Sequence, residues 1–307
     1  MNNIQKGNKV LVTGGAGFIG SNLTDALVER GFDVHVVDNL SNGKIENVNP
    51  CAAFHKADIR NFEEITPFFE GVKYVFHTAA LPRVMQSFDD PRTTHEVNVT
   101  GTLNVLLACR DANVGRVVYS ASSSAYGDQE FFPLHEGIDA RPMHPYGLQK
   151  YVGEQWAKLF HQLFGLSVIS LRYFNVYGER APTEGAYAQA IARFLSQRQK
   201  GEPLTIVPDG KQSRDVVHVR DVVRANILAA TAGNINGYEL INIGGGKDYT
   251  VLEMAEIIGG PRVFIEPRIE PRRSLADTTK AQKLLGWHPE ITLEEGIAEL
   301  KTAYGIS

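Results

Sequence analysis

The chain has 307 residues, 43% of them hydrophobic and 21% charged, which suits a sizeable core in one large domain or two interlocked ones. A formal net charge of −4 and the lack of any long basic run argue against nucleic acid as the main partner. Cys51 and Cys109 fit no CxxC metal or redox motif, residues 1–9 carry no apolar leader, and no run is long enough to span a bilayer, so a cytoplasmic protein is expected.

The first element is also the most informative. Val10-Leu11-Val12 reads as a buried strand, Thr13-Gly14-Gly15-Ala16-Gly17 as a glycine turn, and Phe18-Ile19-Gly20 as the start of an amphipathic helix. Strand, glycine turn and helix N-terminus together form a phosphate cradle, because glycines admit a pyrophosphate to the backbone and the helix end offers free N–H groups. Gly31 ends the helix, and Val34–Asp38 follows as a second strand. Asp38 stands about twenty residues past the glycines, where a carboxylate accepts from both hydroxyls of an adenosine ribose and repels a 2′-phosphate, favouring NAD over NADP.

After the polar turn Asn39–Gly43, a third strand is expected over Phe54–Asp58 and a helix capped by Asn61. Tyr74–His77 is a fourth strand, and the small residues Thr78, Ala79 and Ala80 after it leave room for a ligand. A single helix is expected from about Thr93 to Ala112, then a fifth strand, Val117–Tyr119, running into a hydroxyl-rich loop, Ser120–Tyr126. Tyr146 and Lys150, four apart on a helix reaching about Leu163, share one face. A free tyrosine, with a pKa of about 10, is a poor base at neutral pH. The ammonium and a nicotinamide cation would both favour its phenolate. Ser167–Arg172 is a sixth strand. Beyond it, short elements punctuated by glycine and proline follow, with a strand over Ser213–His218, a helix headed by Asp221, an apolar strand Glu239–Ile243 suited to the main sheet, and three helical stretches after Thr250. The alternation predicts an α/β fold, a Rossmann-type doubly wound parallel sheet with a smaller, interleaved C-terminal α/β substrate lobe. The expected division is residues 1–175 for the NAD-binding part, with 215–245 returning to it, and 176–307 for the lobe.

These motifs, with His77-Thr78-Ala79-Ala80, Asn98–Thr102, Ser122 before Tyr126-Gly127, Arg172–Gly178 and Ser213-Arg214-Asp215, occur in an order that resembles the extended short-chain dehydrogenase/reductase superfamily over essentially the whole chain. Within it the chain is most similar to the NAD-dependent nucleotide-sugar 4-epimerases. The resemblance implies that Gly14, Gly17, Phe18 and Ile19 wrap the pyrophosphate of NAD. Asp38, Asn39, Ser41, Asn42 and Gly43 would hold the adenosine ribose side, and Asp58 and Ile59 would border the adenine. Thr78, Ala79, Ala80, Asn98, Ser120 and Tyr173 complete the implied cofactor site. Lys150 would bind the nicotinamide ribose, Tyr146 would be the acid/base at the sugar 4-hydroxyl, and Ser122 would bond the same oxygen. Ser123, Asn175, Arg214, Arg268, Glu270 and Ser274 are the implied remaining ligands of a UDP-sugar. The resemblance also implies a homodimer through helices near 93–112 and 146–164.

Two features depart from the family pattern. Where Arg-x-Gly-(Asp/Glu) is usual, this chain has Arg268-Ile269-Glu270-Pro271, one residue shorter, so Arg272 competes with Arg268 as the phosphate ligand. Arg83 places a cation in a loop that the family sets near the sugar. The 4,6-dehydratases carry an Asp-Glu pair directly after the Ser/Thr, where this chain has Ser123 and Ser124, so dehydration is disfavoured. A UDP-glucuronate decarboxylase would share Tyr146 and Lys150 but want a glutamate near the serine loop. A non-catalytic NAD-binding regulator would tend to lose the tyrosine–lysine pair, which this chain keeps. The resemblance places Ser274 at the sugar's 2-substituent, where a tyrosine would crowd an N-acetyl group, and so implies N-acetylhexosamine substrates beside UDP-glucose and UDP-galactose.

Overall fold

Alternation of buried strands with amphipathic helices builds a seven-stranded parallel sheet, seen in a computed structural model that describes residues 6–183, 190–266 and 272–306. Its strands are β1 (Lys9–Thr13), β2 (Asp33–Asp38), β3 (Ala53–Lys56), β4 (Tyr74–His77), β5 (Arg116–Ser122), β6 (Val168–Tyr173) and an edge strand, Tyr238–Ile243. The spatial order is edge strand, β6, β5, β4, β1, β2, β3. All six neighbouring pairs are parallel. The order reverses between β1 and β4, which places the ligand crevice at the C-terminal ends of those two strands.

Side chains on β1 alternate between two cores, as the pleat requires. Val10 and Val12 pack with Leu23 and Leu27 of α1 (Phe18–Glu29), with Val222 and with Trp287. Leu11 packs on the other face with Ile65 of α2 (Phe62–Ile65) and Val75. Val105 of α5 (Thr102–Asp111) and Phe160 of α6 (Pro145–Phe164) complete that second core. Between α2 and α5 lie the short helices α3 (Val84–Asp89) and α4 (Pro91–His95). A third core, with Tyr177, Phe194, Ile206, Met254, Ile297 and Leu300, lies among the C-terminal elements. Among the described residues, no helix is long and apolar enough to cross a membrane.

Several expected elements change at their edges. β5 extends to Ser122 because Ser120, Ala121 and Ser122 keep pairing with β6, so the serine cluster begins as strand. The helix expected from Thr93 to Ala112 is broken by a π turn over Glu96–Gly101. Inside that turn the Asn98 carboxamide bonds both the N–H and the carbonyl of Leu81, at 2.8 and 3.0 Å. β3 stops at Lys56, before Asp58, and Asn61 sits at its helix N-terminus without a side-chain cap. Ser213–His218 divides into two strands, Ser213–Asp215 and Val217–His218, and His218 rather than Asp221 caps the following helix.

One buried ion pair ties α6 to the sheet. Arg172 on β6 meets Glu154 with two bonds, 2.8 Å from Nε and 2.6 Å from Nη2, where both residues are at most 2% exposed. The guanidinium also lies 4.3 Å from the centre of the Tyr126 ring. Removing one partner strands the other charge in a dry site. Glu154→Ala should therefore cost about 3–5 kcal/mol in urea unfolding, and the paired apolar change Glu154→Leu/Arg172→Met distinctly less.

Candidate active site

The glycines of the first turn are fixed by contact. Gly14 has φ +73°, and a Cβ there would lie 2.7 Å from the backbone of Ala79. At Gly20 an added Cβ would come within 2.2 Å of the Gly14 carbonyl oxygen. The turn is thus closed on itself by N–H and C=O groups, with Gly17 as N-cap of α1 and its N–H bonded to Gly14 O at 3.0 Å. Phe18 and Ile19 begin the helix, so the free N–H groups of its first turn open beside the crevice.

Asp38 ends β2 next to this turn. Its carboxylate accepts from Ala16 N at 3.0 Å and Leu40 N at 2.7 Å, while burial pushes its pKa upward against those two bonds. Gly43 presses on Ala16 and Asp38, where a Cβ would be 2.7 Å from Ala16 Cβ. Asn39 bridges outward, accepting from Ser41 N and donating to Asp58, and Asn42 lies in the same turn. The Arg60 guanidinium bonded to Asp58 holds that carboxyl down at about 2. Ile59 is buried against Gly101, so the stretch after β3 is fastened to the π turn.

Behind Thr78 and Ala79 runs a directed hydrogen-bond chain. Thr102 Oγ1 donates to Asn98 O at 2.7 Å, so it accepts from His77 Nε2 at 2.9 Å, and His77 Nδ1 then accepts from Thr13 Oγ1 at 2.8 Å. Thr13 Oγ1 in turn accepts from Ala79 N. The chain needs a neutral imidazole, and burial lowers the His77 pKa to about 3. Thr78 itself donates to Thr13 O at 2.7 Å, and Ala80 continues into the loop held by Asn98.

Tyr146 and Lys150 stand one helical turn apart on α6, above the end of β5. The Tyr146 phenol lies near Ser122, whose side chain opposes the rise in its pKa, and the Ser122 hydroxyl accepts from Ser124 N at 3.2 Å. Tyr146 N donates to Ser87 Oγ at 3.0 Å, fixing the start of the helix to α3. Lys150 is 3% exposed, donates from Nζ to Ser120 O at 2.9 Å and lies over the Tyr119 ring at 5.1 Å. Burial lowers its pKa to about 8, and Glu154 opposes that fall. The expected lowering of the tyrosine pKa by Lys150 is not what the chain alone produces: burial pushes the phenol up to about 12, with Ser122 the opposing influence. The ammonium is turned towards the Ser120 carbonyl instead.

Two glycines let α6 come this close. A Cβ at Gly147 would be 2.7 Å from Ser124 O, and one at Gly153 would be 2.2 Å from Tyr119 Oη. Asn98 and Tyr173, expected at the cofactor, have their polar atoms engaged within the protein. Asn98 also donates to Gln149, while the Tyr173 hydroxyl meets Asn226 at 2.9 Å and Ser120 at 3.2 Å. Sequence reasoning gives no role to Glu154, Ser87, Gln149 or Tyr119. Only Glu154 leaves a trace, one further turn along the Tyr146–Lys150 face.

On the far side of the crevice, Asn175, Arg214 and Ser274 gather. Asn175 Nδ2 donates to Asp215 O at 2.7 Å and to Ser274 Oγ at 3.3 Å. Ser274 pairs with Arg214 in parallel register. Ser123 opens the single turn after β5. Arg268 and Glu270 lie outside the described residues. Arg272 has a 79% exposed side chain directed to Asp209 at 3.8 Å, and half-buried Arg83 precedes α3 as its N-cap.

The profile of the NAD dependent epimerase/dehydratase family matches residues 10–244. A protein from Methanocaldococcus jannaschii, named putative UDP-glucose 4-epimerase, is 42% identical over 299 residues, covering 94% of this chain and 95% of its own. The UDP-glucose 4-epimerase of Thermotoga maritima, solved with UDP-glucose, is 40% identical with a TM-score of 0.92, covering 97% of this chain and 98% of that one. The UDP-N-acetylglucosamine 4-epimerase of Methanobrevibacter ruminantium, solved with UDP-N-acetylmuramic acid, is 34% identical with a TM-score of 0.91, covering 97% and 100%.

The His77 chain has a measurable consequence. An imidazole with an ordinary pKa of 6.5 unfolded and about 3 folded contributes stability that is fully present above pH 6.5 and is lost as pH falls towards 3. Urea melts between pH 7 and 4 should show His77→Asn, though weaker at neutral pH, with a pH slope shallower by up to about 1.4 kcal/mol per pH unit.

Proposed function

This chain belongs to the NAD-dependent epimerase/dehydratase family, and we propose that it interconverts UDP-glucose with UDP-galactose and UDP-N-acetylglucosamine with UDP-N-acetylgalactosamine by inversion at C4. The observation that carries this reading is the Tyr146 phenol near Ser122, one turn from an ammonium held dry against Ser120 O at 2.9 Å. Ser123 and Ser124 supply no carboxylate pair for elimination of water, which favours epimerisation over dehydration.

The residues present suit NAD. A Cβ at Gly14 would collide with the Ala79 backbone and one at Gly20 with the turn itself, so the cradle presents backbone to a pyrophosphate, and the Asp38 carboxylate beside it would meet a 2′-phosphate with like charge. When bound, NAD would supply a hydride acceptor and donor for C4. In the proposed reaction Tyr146, assisted by Ser122, takes the 4-hydroxyl proton as the C4 hydrogen leaves as hydride. After the 4-keto sugar presents its other face and hydride returns, Tyr146 gives the proton back to O4. Lys150 would hold the nicotinamide ribose, and its charge would favour the phenolate. No redox equivalent is consumed.

We assign the cofactor unit to residues 1–175 with 215–245, and the sugar lobe to 176–307. Exposed Leu148, Leu159, Leu163 and Phe164 on α6 support pairing with a second copy. Ser274 supports the N-acetylhexosamine range: its oxygen accepts from Asn175 and from Asp215 N, which leaves its O–H to donate to an acetamide.

One proton NMR experiment, run on UDP-hexoses without added NAD, tests these points together. The parent should give new anomeric signals from both plain and N-acetylated substrates. Tyr146→Phe should lose at least about a hundredfold in rate, the low end for a positioned general acid–base group. Ser274→Tyr should slow the N-acetyl pair far more than the plain pair, since overfilling a packed site costs about 1–3 kcal/mol. Full activity in Tyr146→Phe would remove that residue from the mechanism.

A further inference from the structure

Asp215 is fully buried, yet its backbone meets Asn175 and Ser274 and adjoins Arg214, three residues proposed to grip the nucleotide-sugar. Its carboxylate accepts from the N–H groups of Gly245, Gly246 and Ala276, the last two at 3.1 and 2.9 Å. Two successive glycine N–H groups converging on one carboxylate make an anion nest, here filled by the protein's own side chain. Gly244 and Gly245 permit it. A Cβ at Gly244 would be 2.9 Å from Asp215 Oδ2, and one at Gly245 would be 2.4 Å from Val216 O.

The backbone of the same residue completes the set. Asp215 O accepts from Asn175 Nδ2 at 2.7 Å, and Asp215 N donates to Ser274 Oγ at 3.3 Å, which Asn175 also reaches at 3.3 Å. Arg214 is its immediate neighbour and pairs in register with Ser274. Three stretches far apart in sequence thus meet at one carboxylate: the end of the edge strand, the strand Ser213–Asp215 and the segment Ser274–Ala276. We propose that Asp215 is a positioning residue that assembles the nucleoside-diphosphate side of the site, setting Asn175, Arg214 and Ser274 in mutual register without touching substrate. The proposal rests on the reading of those three residues as the lobe's grip.

A buried carboxylate can equally be a staple for the fold, and the chain carries its own control. Asp221, 2% exposed, accepts from Glu290 N and Ile291 N at 3.1 Å and from Arg224, on the helix Val219–Thr231 that packs against α1. The test measures calorimetric binding of UDP to the NAD-containing protein, with thermal melting and bound NAD followed in parallel. Arg214→Ala comes first: if it leaves UDP affinity unchanged, the reading of the grip fails, whatever Asp215 does. With that reading intact, Asp215→Asn should weaken UDP by at least about tenfold, because an amide turns an N–H towards N–H donors that a carboxylate satisfied. Bound NAD should remain, and Asp221→Asn should melt lower with UDP affinity within about twofold, as its bonds lie away from the site. Unchanged UDP affinity in Asp215→Asn, or equal losses in both variants, or loss of NAD together with UDP, would overturn the proposal. If Asp215→Asn does not fold, Ser274→Ala takes its place, deleting the hydroxyl between Asp215 N and Asn175. UDP lacks the hexose whose 2-substituent Ser274 would meet, so weaker UDP binding supports the register and unchanged binding contradicts it.

Discussion

A full positive charge kept dry is the constraint on which this structure turns. Lys150 is 3% exposed, and an ammonium stripped of water has to be compensated where it sits. The compensation comes from three directions: the Ser120 carbonyl at the end of β5, the face of Tyr119 on the same strand, and Glu154 one turn further along α6. Glu154 is itself buried and is held by Arg172 on β6, whose guanidinium covers Tyr126. The sequence Tyr146, Lys150, Glu154 along one face of α6 is therefore a row of phenol, cation and anion. Gly147 and Gly153 let that row press onto the strand ends.

The same economy governs the cofactor side. The first turn binds itself so closely, Gly20 against Gly14 and Gly14 against Ala79, that only backbone can face a ligand there. The π turn over Glu96–Gly101 links that turn to α6. Within it Asn98 holds the Leu81 loop and Gln149 of α6, and its carbonyl receives the hydrogen-bond chain from Ala79 through Thr13, His77 and Thr102. Irregular turns of this type recur at functional sites because they redirect backbone groups without ending the helix. The cradle, the small residues after β4 and the tyrosine–lysine pair are thereby parts of one hydrogen-bonded unit.

Local signals in the chain reveal the parts whose causes are local. Glycines in a strand–turn–helix, an acid at the end of β2, and tyrosine and lysine four apart carry their chemistry in their spacing, and the structure sets each beside the crevice. Strands run longer than their apolar cores where polar residues continue the ladder, as at Ser120 and Ser122, because pairing with β6 decides the matter and hydrophobicity does not. The break in the helix near Asn98 is invisible in the sequence for a related reason: its partner Leu81 lies seventeen positions back and offers only backbone. The Tyr146 pKa departs from expectation because spacing shows that the ammonium is near but not where it points. Asp215 stands inside the Ser213-Arg214-Asp215 motif with no legible role, since its partners, Gly245, Gly246 and Ala276, come from segments that only the fold brings together.

The central claim is that hydrogen leaves and returns to C4 as hydride within one enclosed site, while Tyr146 carries only the hydroxyl proton. UDP-glucose deuterated at C4, turned over in ordinary water and followed by NMR and mass spectrometry, tests it most directly. The account predicts that UDP-galactose keeps the deuterium at C4 at equilibrium, with no loss to solvent and no net consumption of NAD. Deuterium washed out of C4 into water would mean that the carbon is deprotonated by a protein base, and the account would be wrong.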